Sequence, residues 1–287
     1  LTDTFKAVIS KLVSLSQKAI EESNLSQQQA EQLLLKTLGL ENWQATPALN
    51  YERKSSEVFA AGRLDAEHFQ EKYIQLRRKL KEHKSGFLKL GEICSNPING
   101  VEIREYTEEG TPYLRVGDLQ NFDLNIDSVV RISKQDSEKV DKVTLDVGDV
   151  LVSRSGSLAV TGVVEAEWVD SVISSHLIRV RLENENFNPY YIAAFLAWMP
   201  GKMQIQQWSN GGVQPEINQP SLKEIIIPMI DMNEQLTIKK IILQARQDRM
   251  RAKELLEAAK RAVEIAIEDS EAAALAYLQL FLQDETP

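Results

Sequence analysis

One stretch near the C-terminus, Asn233 to about Ile267, constrains this chain most, because it contains neither Gly nor Pro. Those two residues most disfavour a helix interior. Ala, Leu, Glu, Lys, Arg and Gln dominate the stretch. At three-to-four spacing one stripe runs Ile238, Ile241, Ala245, Asp248, Ala252, Leu255, Ala259, Ala262, Ala266. A second apolar line, Ile242, Leu256, Val263 and Ile267, lies beside it and is interrupted by Arg249. The pattern predicts one amphipathic helix about 50 Å long. Its seam is rich in Ala, so a partner helix can come close. The near-heptad period predicts pairing with another long helix rather than burial on a domain core. The residues expected to meet that partner are Ile238, Ile241, Ala245, Ala252, Leu255, Ala259 and Ala262. Phe5 to Glu22 offers a complementary apolar stripe. The expected pairing is antiparallel, with this N-terminal segment or with that of a second copy.

Composition narrows the class. The 287 residues suit one large or two ordinary domains. No apolar run reaches the length of a bilayer span, and no charged-then-apolar leader opens the chain. The first residue is Leu1, which leaves a trimmed start or an excised fragment open. Cys94 is the only cysteine, which rules out an internal disulfide and fits a reducing cytoplasm. His68, His83 and His176 show no metal-ligand spacing, and no cofactor motif is present. A net charge of −9 argues against indiscriminate nucleic-acid binding but leaves room for a local basic face.

Along the chain, Phe5–Glu22 reads as a helix. Ser26 then reads as the N-cap of a second one, Gln27–Leu38, which Gly39 stops. Residues 41–62 read as a linker, and Asp65–Lys84 as a charged helix. From Phe87 the period becomes that of strands: Phe87–Ile93, Val101–Ile103, Tyr113–Val116, Ser128–Ile132, Val150–Ser153, Gly162–Val164, Ser171–Leu182 and, later, Ile225–Ile227. At the end of the last run before Pro189, Ile178, Val180 and Leu182 are expected on one face, Arg179 and Arg181 on the other. Pro189 opens a helix through Met199. The plan is α+β: a mixed, mostly β domain flanked by N-terminal helices and a long C-terminal helix. The expected division is 1–40, 41–62, 63–230 and 231–287.

Candidate chemistry is sparse. Asn188-Pro189-Tyr190-Tyr191 is similar to the proline loop of amino-methyltransferases, but the second proline is missing and a helix start explains it better. Glu52-Arg53-Lys54 holds half of a nuclease signature without its upstream Pro-Asp. Ser153, Ser155, Ser157, Ser174 and Ser175 could suggest a nucleophile with His176 as base, yet no nucleophile elbow or third partner accompanies them, and His176 reads as structural. What remains is a basic and polar set at strand ends and turns: Arg104, Arg115, Arg154, Ser155, Arg179, Lys202, Asn210 and Gln214. Arg side chains there suit phosphate or guanine, and the amides of Asn210 and Gln214 suit adenine. Gly211-Gly212 is expected to form a turn tip with positive φ. Phe87 to Ile230 nevertheless holds 12 Lys and Arg against 20 Asp and Glu, a composition that favours a merely solvated set.

Several blocks in order resemble the specificity subunit of type I restriction–modification systems. They are Ala61-Gly62-Arg63-Leu64-Asp65-Ala66-Glu67, Leu88-Lys89-Leu90-Gly91-Glu92-Ile93 and Tyr113-Leu114-Arg115-Val116-Gly117-Asp118-Leu119. Gly148-Asp149-Val150-Leu151-Val152-Ser153-Arg154-Ser155-Gly156, Ser174-Ser175-His176-Leu177, Asn188-Pro189-Tyr190-Tyr191 and Gly212-Val213-Gln214-Pro215-Glu216-Ile217 follow. The resemblance implies a target-recognition domain that reads double-stranded DNA, in its single-domain form. A long helix would follow it, setting spacing and docking the methyltransferase subunits and, through them, the restriction subunit. It implies no catalysis and no cofactor in this chain. A homodimer through the long helices is the expected assembly, without a membrane. Two other readings stay open: a DNA adenine methyltransferase with a degenerate motif, and a helical scaffold that binds no nucleic acid.

Overall fold

A computed structural model of the chain describes residues 1–120, 122–125, 128–138, 140, 144–211 and 214–282. The chain opens with α1 (Asp3–Thr37), then α2 (Ser55–Ala61) and α3 (Glu71–Lys81). The strand region runs β1 (Phe87–Lys89), α4 (Leu90–Ile93), β2 (Ile98–Asn99), β3 (Thr111–Leu114), β4 (Leu119–Gln120), β5 (Asp123–Leu124), β6 (Val130–Ile132) and α5 (Lys134–Glu138). It continues with β7 (Val150–Ser153), β8 (Thr161–Val163), β9 (Val172–Ile173) and β10 (Leu177–Val180). Helices α6 (Pro189–Ala197), α7 (Met199–Trp208) and α8 (Gln219–Lys223) lead to β11 (Ile226–Pro228). Two helices close the chain, α9 (Met232–Glu268) and α10 (Glu271–Leu282). The architecture is the mixed α+β one that the residue pattern predicts, with strands of only two to four residues.

The chain divides into two compact units, Leu1–Ala30 with Lys240–Pro287, and Glu31–Lys239. The first is a helical hairpin closed by α10. Phe5 and Leu12 of α1 pack with Leu255, Ala258, Ala259 and Ala262 of α9 and with Ala274 and Leu278 of α10. Small side chains bring the two backbones within reach of Ser hydroxyls. Ser16 Oγ donates to Ala252 O at 2.7 Å, and Ser23 Oγ to Ala245 O at 2.7 Å. As α1 advances from 16 to 23, its partner on α9 retreats from 252 to 245, so the pair is antiparallel. The partner of the Ala seam is thus the chain's own N-terminal segment. Ala245, Ala252, Leu255, Ala259 and Ala262 are buried, as is Ile238 within the second unit, while Ile241 is half-buried. Packing within one chain accounts for residues that were expected to hold a dimer.

The expected break at Ser26 does not occur: α1 is one helix. No Gly or Pro lies between Glu22 and Gln27, and Ser23 spends its hydroxyl on α9 rather than on a cap. Gly39 does end the chain's helical course with φ +67°. Within the stretch expected as linker, 41–62, α2 forms, and Arg53 ties the segment to Glu71 at 2.7 Å.

In the second unit the main sheet has the order β2-β10-β7-β8, all antiparallel. A second sheet is ordered β6-β3-β9, with β3 and β9 parallel. A core of Leu114, Leu119, Leu124, Leu145, Leu151, Val164, Trp168, Ile173 and Leu177 serves both. Helix α6 packs on β7 and β8, and α7 on α6. Asn188 Oδ1 caps α6 by accepting from Tyr190 N at 3.0 Å, so the Asn-Pro-Tyr-Tyr block is a helix start. Gly201 permits the α6–α7 approach, since a Cβ there would lie 2.2 Å from Phe195 O.

The single strand expected over Ser171–Leu182 is two strands. β9 pairs with β3 in one sheet and β10 with β7 in the other, and the backbone changes sheets across Ser174–His176. Apolar β-branched residues on both sides hide that break in the sequence.

Candidate nucleic-acid interface

A cleft of about 420 Å³ opens where loops from both sheets meet. Its lining includes Glu102, Tyr106, Arg115, Ser155, His176 and Gln214. Three features position these side chains. Tyr113 is buried and its hydroxyl donates to Val101 O at 2.6 Å and accepts from Ile103 N at 3.2 Å, which pins the segment bearing Glu102. The sheet change after β9 sends His176 outward. The backbone of 154–155 is held by Arg154 N donating to His176 O at 2.9 Å and Ile217 N donating to Arg154 O at 2.9 Å.

Arg115 is held rather than free. Its Nη2 donates to Ser128 O at 2.6 Å, and its guanidinium pairs with Asp118, which is fully buried. That carboxylate pushes the Arg115 pKa up, and the ring of Tyr106 lies 5.8 Å from its Cζ. Such bracing presents an arginine in one orientation. His176 is exposed at the cleft, and its Nδ1 lies 2.6 Å from Ser155 Oγ. Glu102 sits opposite in charge: Ser175 Oγ donates to it at 2.7 Å, and this bond, then Arg104, holds its pKa below the usual carboxylate range. Ser174 Oγ is buried in the cleft wall without a hydrogen-bond partner among the described residues.

The expected site residues therefore separate. Arg115, Ser155 and Gln214 line the cleft together. Arg104, with its side chain 86% exposed, is paired with Glu102 of the lining. Arg154 forms an ion pair with Glu216, close to Gln214 in the chain. Asn210 exchanges two backbone hydrogen bonds of 2.8 Å with Glu216. Arg179 does not join them. It is buried in the middle of the main sheet, where Nη1 donates to Thr144 O at 2.5 Å and burial lowers its pKa. Arg179 and Arg181 share a face, both donating to Thr144 O, but β10 is buried on both faces, so Arg179 is not presented to solvent. Lys202 lies on exposed α7 surface, where its charge acts on Glu31, away from the cleft lining. Of the five cations in the expected set, Arg104, Arg115, Arg154, Arg179 and Lys202, only Arg115 lines the cleft. Gly211 has φ +97°, and a Cβ there would meet Gln214 O at 2.6 Å, while Gly212 lies outside the described residues.

His176 is the cleft residue that sequence reasoning assigned to structure. The available signal was its place between two serines and a β-branched run, in a block shared with a DNA-reading family. Among the described residues no group of His, Cys, Asp and Glu is placed to hold a metal ion, and no helix is long and apolar enough to cross a membrane.

Residues 83–257 match the type I restriction modification DNA specificity domain, a span that includes every residue lining the cleft. The chain belongs to that family. It is similar in structure to a type I restriction-modification system S subunit from M. genitalium, at 14% identity and a TM-score of 0.53, over 96% of this chain and 61% of that one. It is also similar to the HsdS subunit from Thermoanaerobacter tengcongensis, at 15% identity and a TM-score of 0.39, over 97% and 56% of the two chains. A third likeness is to a chain from structural work on complex assembly and conformational transition of the type I R-M system, at 14% identity and a TM-score of 0.42, over 98% and 58%. The first of these speaks for a shared fold. The chain spans about three fifths of the length of these structures. No curated protein matches it.

Proposed function

We propose that this chain is a non-catalytic, sequence-specific DNA-recognition subunit, with residues 63–230 as the part that reads DNA and the cleft as its reading surface. The observation that carries the reading is the cleft itself. It lies wholly inside the family-matched span and gathers donors and acceptors from five separated segments. Base edges are told apart by such fixed patterns, while phosphate contacts set register. Arg115, braced by Asp118, offers an oriented guanidinium suited to guanine. Gln214 carries an amide suited to adenine. His176, with Nδ1 engaged by Ser155, turns its other ring nitrogen to the ligand as a donor or an acceptor according to tautomer. Arg104, highly exposed, meets phosphate. Arg179 takes no part in this reading, and Lys202 contributes only to the general field.

Methyl transfer and cleavage belong, in this proposal, to partner chains docked on the helices, and the chain works in the cytoplasm. A second copy, the partner in the expected homodimer, pairs through a surface other than the Ala seam, which α1 fills. Selection of duplexes with a randomised centre by the full chain tests the reading. Enrichment of one short motif supports it, and no enrichment at low and moderate salt overturns it. Calorimetric binding of S-adenosylmethionine by the chain alone would favour the methyltransferase reading instead.

A further inference from the structure

We propose that Arg63 is a positioning residue for the segment that carries Gln214 into the cleft, an inference that rests on the DNA-reading role above. The argument starts at the C-terminus of α7, where helix carbonyls lack intrahelical partners and the helix dipole is negative. Three successive carbonyls there are taken by side chains from one short stretch. His68 Nδ1 lies 2.9 Å from Gln207 O. Arg63 Nη1 donates to Trp208 O at 3.1 Å, and Nη2 to Ser209 O at 3.0 Å. The guanidinium is oriented in turn, since its Nε donates to Asp65 Oδ2 at 2.7 Å while Asp65 Oδ1 accepts from His68 N at 3.0 Å. Gln207 Nε2 closes the circuit by donating to His68 O at 3.0 Å.

Arg63 is only 14% exposed on its side chain, so this fork works away from bulk water. The Arg77 guanidinium covers the Trp208 ring at 5.4 Å and fixes the same helix end from another side. The chain leaves this anchor directly into Asn210, whose backbone pairs twice with Glu216. Glu216 pairs with Arg154, and Gln214 reaches the cleft between the two fixed points. Among the described residues the hydrogen-bond partners of Arg63 are Asp65, Trp208 and Ser209, none of which lines the cleft. Arg63 sets where the segment begins, as Arg154 sets where it ends. Lysine cannot replace it, because a single ammonium cannot serve two carbonyls and a carboxylate in one plane.

The test uses the full chain with Arg63→Lys and Asp65→Asn. Hydrogen exchange at the Asn210 and Glu216 amides is expected to rise about tenfold in both variants, with Val150–Ser153 unchanged. Preference for the selected duplex over a scrambled one is expected to fall about tenfold in Arg63→Lys, with affinity for the scrambled duplex unchanged. Unchanged exchange at the two amides overturns the proposal, and so does an equal rise throughout the unit, which marks a merely structural role. Faster local exchange with full sequence preference overturns the specificity part. If the unaltered chain selects no sequence, the DNA-reading role falls, and the exchange arm still decides whether Arg63 holds the segment.

Discussion

The helical hairpin and the cleft are built on opposite principles. The hairpin repeats one contact: small residues on α9 meet α1 turn after turn, and two Ser hydroxyls reach across to carbonyls. The cleft contains no repeated contact. Arg115, Ser155, His176 and Gln214 come from different loops, and each is oriented by its own group: Asp118 behind Arg115, Arg154 and Ile217 beside Ser155, the sheet change beneath His176. The hairpin stores stability in periodicity, whereas the cleft stores information in irregularity. Substitutions in the first are expected to act on folding, and in the second on choice of ligand.

The largest expected effect sharpens the first half of that contrast. Ala259 is 3% exposed between α9 and α1. Ala259→Glu places an unpaired carboxylate there and is expected to cost about 3 kcal/mol or more. Denaturant titration of the hairpin's helical signal checks it. A variant as stable as the parent would mean that α1 and α9 do not pair as described.

A smaller effect concerns the buried histidine at the end of α7, His68. Burial holds the His68 pKa below its ordinary value, against a lesser opposing effect of the Gln207 carbonyl. The unfolded chain therefore binds this proton more readily than the folded one. Stability is full above the ordinary histidine value of about 6.5 and declines as pH falls through it towards the lower folded value. Melting temperatures from pH 8 downward are expected to drop over that window, and less so in His68→Gln. Parallel curves for the two chains would remove His68 as the cause.

How much of each region could be read in advance follows from the same contrast. The long helix was legible from Asn233 to Ile267 because periodicity is local and Gly and Pro are absent. Its partner was legible too, though not whether it came from the same chain. The cleft was legible only in part. Arg115, Ser155 and Gln214 stood out as polar residues at turns. His176 did not, because the sheet change that exposes it is made by pairing with β3 and β7, which no local pattern reports. Arg179 misled for the reverse reason: alternation marks a solvent face only where one side of a sheet is open, and β10 is buried throughout, with Arg179 donating to Thr144 O. The Arg63 fork, joining residues 145 apart, has no sequence signature beyond the block that contains it.

The central claim is that recognition resides in the cleft and not in every arginine of the domain. The most direct measurement pairs two substitutions, comparing binding of a selected duplex, a scrambled duplex and thermal stability in each. His176→Ala is expected to leave stability within about 0.5 kcal/mol of the parent and to reduce preference for the selected duplex about tenfold. Arg179→Ala, which removes one of the two donors to Thr144 O, Arg181 Nη2 remaining, and opens a void in the main sheet, is expected to cost about 1–3 kcal/mol of stability and to leave the preference of the folded fraction unchanged. The opposite pattern, with preference following Arg179 and indifferent to His176, would contradict the assignment of the cleft as the surface that reads DNA.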